Sequence, residues 1–113
     1  EPPRVAAASA RPYRGEASAY ARVALERELK AVASAAPGAR NAALFKAAAS
    51  LGSLCAGGAL PADPVAASLI EAAAACGLVA DDGPHAVEAT IASGFKAGLA
   101  RPRALPSQHG RRA

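Results

Sequence analysis

Apolar residues recur along this chain every three to four positions in four separate stretches, each closed by glycine or proline. Ala21, Leu25, Leu29, Val32 and Ala36 fall on one side of a 3.6-residue spiral, which predicts a helix over about 17–36. Opposite them Arg22, Glu26 and Lys30 form a polar row, with Glu26 four residues ahead of Lys30 in the favourable order. Pro37 and Gly38 end the pattern. A second helix is predicted over about 40–56, with Leu44, Ala48, Leu51 and Cys55 inward, Phe45 and Gly52 beside them, and Lys46, Ser50 and Ser53 on the far side. Gly57-Gly58 stops it, and the loop to Pro61 is short enough to send the chain back antiparallel.

Asp63-Pro64 predicts the start of a third helix over 64–76, because an aspartate caps exposed N–H groups and proline fits the first turn. Its stripe is Val65, Leu69, Ala73 and Cys76, with Ile70 alongside, and Gly77 closes it. Asp81-Asp82-Gly83-Pro84 repeats that chemistry, so a fourth helix should open at Pro84 or His85 and reach about residue 100. Val87, Ile91, Phe95 and Leu99 point inward beside Gly94 and Gly98. Each interior glycine costs about 1 kcal/mol relative to alanine. Two of them one turn apart therefore imply that another helix, or a ligand backbone, comes close. No stretch alternates with period two. The predicted fold class is all-α, a compact bundle of about four helices over 16–102, with an irregular basic linker at 1–15 and a basic tail at 103–113.

Composition sharpens this picture. Thirty-five alanines outnumber the 22 larger apolar and aromatic residues, which favours helices but leaves little surface to bury, so the helices must pack closely. The chain holds no methionine and opens on Glu1, as expected of a piece of a longer polypeptide. It has no signal-peptide pattern and no apolar run near the roughly 20 residues needed to span a bilayer, so a soluble, cytoplasmic location without membrane contact is expected. Charge is unevenly placed. Residues 16–100 hold six basic and eight acidic side chains, a net −2, while Arg4, Arg11, Arg14, Arg101, Arg103, Arg111 and Arg112 less Glu1 supply +6. Basic flanks on a near-neutral body suit nucleic-acid phosphates, and equally suit an unstructured linker.

Catalytic apparatus is not evident. Cys55 and Cys76 stand far apart in apolar settings and read as buried thiols, and His85 and His109 lack partners for a metal site. Adjacent Asp81 and Asp82 diverge and suit capping, and Gly57-Gly58 lacks the Lys-Ser/Thr of a phosphate loop. Neither a catalytic residue, a metal ligand nor a cofactor is expected within this chain. The binding candidates are Arg40 and Asn41 at the start of the second helix, Lys46 on its far side, Ser93 and Lys96 on the outer face of the fourth, and Arg101 and Arg103 at the exit. Helix starts attract anions, although Asn41 or Gly38 acting only as a cap accounts for the first pair equally well. Phe45 and Phe95 border apolar stripes and are assigned to the core.

Three motifs carry a family resemblance: G-x-R-N-x-x-L from Gly38, L-G-x-L-x-A-G-G from Leu51, and T-I-x-S-G-x-x-A-G from Thr90, with 72–78 between them and Pro102-Arg103 after. In order and spacing they resemble the helical region C-terminal to bifunctional DNA primase/polymerase domains of phage and plasmid replication proteins, over about 20–103. That resemblance implies an accessory domain, with divalent metal and nucleoside triphosphate used by an upstream catalytic domain that often works beside a helicase. It implies that Arg40, Asn41, Ser93, Lys96, Arg101 and Arg103 contact single-stranded template or the initiating nucleotide. Two alternatives stand beside it. One is a module docking primase to helicase through an exposed apolar patch. The other is a helix-turn-helix reader, weakened by an alanine-rich outer face on the last helix.

Overall fold

The structure, a computed structural model, describes residues 18–103. The linker expected over 1–15, the tail beyond Arg103, and His109 lie outside the described residues. The described residues form a compact all-α unit of five helices: α1 (Ala19–Ala33), α2 (Arg40–Ala56), α3 (Ala62–Ala75), α4 (Leu78–Asp82) and α5 (Pro84–Leu99).

Ser18 starts α1 by accepting the Ala21 N–H at 3.1 Å. At the other end the Ser34 hydroxyl and its own N–H both donate to the Lys30 carbonyl, at 2.7 and 3.0 Å. That back-bonding, with Pro37 ahead, ends the helix at Ala33 rather than at the expected residue 36. Ala36, expected on the apolar stripe, is exposed outside it.

Both expected aspartate caps are corrected. α3 begins at Ala62 with Pro61 as its N-cap, which places Asp63 inside the first turn, where its charge meets the helix dipole. Asp81 and Asp82 belong to a separate one-turn helix, α4, which is too short to show a periodic stripe. α5 does start at Pro84, but its N-cap is Gly83 with φ 91°. Gly77, also left-handed at φ 90°, separates α3 from α4 and lets Leu78 turn into the core.

Phe95 is the largest buried side chain, in one cluster with Leu44, Leu51, Leu54, Leu69, Val87 and Ile91. Among the described residues no polar or charged side chain is buried.

The decisive packing is α2 against α5. A Cβ placed on Gly94 would stand 2.6 Å from the Ala48 Cβ and 2.7 Å from the Phe45 carbonyl. One turn on, a Cβ on Gly98 would land on the Ala49 carbonyl and 2.7 Å from the Ser53 nitrogen. One turn earlier, Thr90 meets Asn41. Partners thus advance together, 41 with 90, 45 with 94, 49 with 98, so the two helices run parallel. Parallel neighbours need a return path, and α3 supplies it. The chain leaves the far end of α2 at Gly57 and is back beside Arg40 by Gly77. α3 is therefore antiparallel to α2, as the short Gly57–Pro61 loop led us to expect.

Alanine for glycine on a helix ordinarily gains about 1 kcal/mol, but here the added methyl meets backbone that cannot yield. Gly98→Ala should lower unfolding free energy by about 1–3 kcal/mol, and Gly94→Ala should also destabilise. Urea titration checks this, and a raised midpoint for Gly98→Ala would contradict the parallel seam.

Candidate nucleic-acid interface

At the upstream end of the seam, α2 has Ala39 as its N-cap and no capping side chain, so neither Gly38 nor Asn41 caps it. Arg40 is only 19% exposed. Its Nη1 donates to Asp81 Oδ2 at 2.6 Å, and the guanidinium lies over Gly77, where a Cβ would come within 3.5 Å of Nη2. The Thr90 hydroxyl donates to Asn41 Oδ1 at 2.9 Å. These two candidates thus tie α2 to α4 and α5, and much of the Arg40 charge is answered by Asp81.

At the downstream end the chain folds back across the C-terminus of α2. The Arg103 N–H donates to the Ser53 carbonyl at 3.0 Å, and its Nη2 makes a long 3.5 Å contact with Ser50 Oγ. Gly57 admits this strap, since a Cβ there would sit 2.6 Å from the Arg103 carbonyl. Ser53 Oγ donates to the Gly98 carbonyl at 3.2 Å. Ser50 and Ser53, expected on the far side of α2, are half-buried at this junction instead. Arg101 and Arg103 are exposed. The 17 residues of α2 separate Arg40 from Arg103 by about 25 Å of helix, so the structure does not gather all seven candidates at one point.

Lys46, Ser93 and Lys96 are exposed along the pair between those ends. Phe95 is fully buried as expected, but Phe45 is 42% exposed and its core assignment is corrected. The stripe of α2 that enters the core centres on Leu44, Leu51 and Cys55, while position 45 falls where α5 comes alongside, and Gly94 offers no side chain to cover it. A one-dimensional apolar stripe does not reveal that edge.

Electrostatics divides the unit. No acidic residue occurs in α2 or in 90–103, the two segments joined at the seam and the strap. Every acidic side chain among the described residues lies elsewhere: Glu26 and Glu28 on α1, Asp63 and Glu71 on α3, Asp81 and Asp82 on α4, and Glu88 near the start of α5. Lys46, Lys96, Arg101 and Arg103 therefore lie on segments that carry no carboxylate of their own, although Asp81 of α4 reaches α2 at Arg40. Among the described residues no group of three His, Cys, Asp or Glu side chains could hold a metal ion, and no helix is long and apolar enough to cross a membrane.

Both cysteines are free thiols. Burial pushes the Cys55 thiol up to about 12, whereas Cys76, expected to be buried, is half-buried with Sγ 3.4 Å from the Ala73 carbonyl.

Two measurements follow from this geometry. A thiol reagent near pH 8 should modify Cys76 in the folded chain and Cys55 only after denaturant is added. The raised Cys55 value also has a linked effect on stability, fully present below the ordinary thiol range and lost as pH climbs towards 12. Separately, a double-mutant cycle on Arg40→Ala and Asp81→Ala should give a salt-sensitive coupling of about 0.5 kcal/mol, small because Asp81 is well exposed. Arg40→Ala should cost more than Asp81→Ala, since it also removes stem packing. Zero coupling at low salt would remove the tether.

Comparison with known proteins adds no name to this geometry: no family model matches the chain, and no curated protein or solved structure is significantly similar.

Proposed function

We propose that this chain is a non-catalytic helical accessory domain of a DNA primase/polymerase, assisting primer initiation by holding single-stranded template or an initiating nucleotide. The replication context rests on the resemblance of the α2 and α5 motifs. The choice of ligand rests on one observation, that α2 and 90–103, which bear the exposed Lys46, Lys96, Arg101 and Arg103, contain no acidic residue. Cations without acidic neighbours attract a phosphate chain at long range and release its counterions on contact. Of the seven candidates, Lys46, Ser93, Lys96, Arg101 and Arg103 are the residues in contact, and Arg40 and Asn41 hold the upstream end of the seam in place. The upstream catalytic domain, with its divalent metal and nucleoside triphosphate, is the partner, in the cytoplasm.

A docking role towards helicase is favoured by a different observation. Tyr20 and Val23, three residues apart on α1, are 46% and 51% exposed, an arrangement that suits a protein neighbour better than a phosphate chain.

Labelled single-stranded DNA titrated into the chain should bind weakly and lose affinity with salt. Four phosphate contacts give a slope of log affinity on log salt of about −3. Lys46→Ala with Lys96→Ala should flatten the slope by about 1.4, and Tyr20→Ser with Val23→Ser should leave it unchanged. Binding that ignores salt, or that survives loss of both lysines unaltered, would end the polyanion reading.

A further inference from the structure

We infer, resting on the single-strand reading above, that the strap over 100–103 positions Arg101 and Arg103 for phosphate, and that Gly57 is the positioning residue that seats it. Gly57 closes α2 with φ −82° and ψ −2°. That is ordinary right-handed backbone, which alanine adopts more readily than glycine, so no turn requires glycine there. What the position requires is the missing Cβ. One built on Gly57 would stand 2.6 Å from the Arg103 carbonyl oxygen and 3.3 Å from its carbon. Both are main-chain atoms, so an added methyl has to displace the strap itself rather than turn a side chain aside.

The seat is built from both helices. The Arg101 N–H donates to the Gly98 carbonyl at 2.9 Å as α5 ends, and Pro102 then keeps the chain from continuing as helix. Ser53 holds the end of α5 through its hydroxyl, which donates to the Gly98 carbonyl at 3.2 Å, and holds the strap through its own carbonyl, which accepts the Arg103 N–H at 3.0 Å. α2 has no basic residue in its last turn, where the unpaired carbonyls form the negative end of the helix dipole. The strap brings Arg103 to that end, with Nη2 3.5 Å from Ser50 Oγ. Main-chain bonds and a glycine thus fix the backbone, while both arginines stay exposed. Residues ordered before a strand arrives need not be ordered by it, and that is how the seat adds affinity.

The test uses the 113-residue chain and reads the strap and the ligand separately. Amide hydrogen exchange should find the Arg103 N–H protected in the wild type and exchanging freely in Gly57→Ala, with the Ile91 and Phe95 amides of α5 protected in both. Gly57→Ala should weaken binding of labelled oligo(dT) roughly 5- to 30-fold, as ordering one released residue costs. It should have no effect where Arg101 and Arg103 are already alanine. Pro102→Gly, which loosens the strap without touching α2, should weaken binding in the same arginine-dependent way. An Arg103 amide still protected in Gly57→Ala overturns the seat. Undiminished oligo(dT) binding by Gly57→Ala overturns the positioning role while leaving the electrostatic reading standing. Weakening that persists without the two arginines also overturns it, because the loss would then come from α2 and not from the strap. A wild-type chain that binds no oligo(dT) removes both readings together.

Discussion

Everything in this unit depends on the close approach of α2 and α5, where backbone meets backbone through Gly52, Gly94 and Gly98. A chain so rich in alanine has few large side chains with which to fill a core. It compensates by bringing helices near enough that each small residue still makes dense contact. The few large residues, Phe95 above all, then fill what space remains. The cost is paid in helix propensity at the glycines, and it secures a single register, because no sliding of α5 along α2 would keep Gly94 and Gly98 opposite Ala48 and Ala49.

That register has consequences beyond stability. A parallel pair needs α3 to carry the chain back, and α4 and Gly77 then deliver Asp81 to Arg40. The seam is tied at one end by that ion pair and by Asn41 with Thr90, and at the other by the Arg103 strap over Gly57. Two segments lacking acidic residues, far apart in sequence, become one surface. The motif residues Arg40, Asn41, Gly52, Thr90, Gly94 and Gly98 are all engaged in this packing. Within the same motifs Phe45, Lys46, Ser93 and Lys96 are exposed.

The sequence by itself determined the helical class, most of the inward stripes, the stops at Gly57-Gly58 and Gly77, and the need for a close neighbour at Gly94 and Gly98. These follow from local sterics and periodicity, which act within a few residues. It did not determine which helix fills that need, that α2 and α5 run parallel, or that Asp81 is an ion-pair partner rather than a cap. Nor did it tell which edge of α2 is covered, so Phe45 read as core and Ser50 and Ser53 as outer-face residues. Only the tertiary structure decided these, because each depends on a residue 40 or more positions away, and helical periodicity carries no information about what lies across a contact.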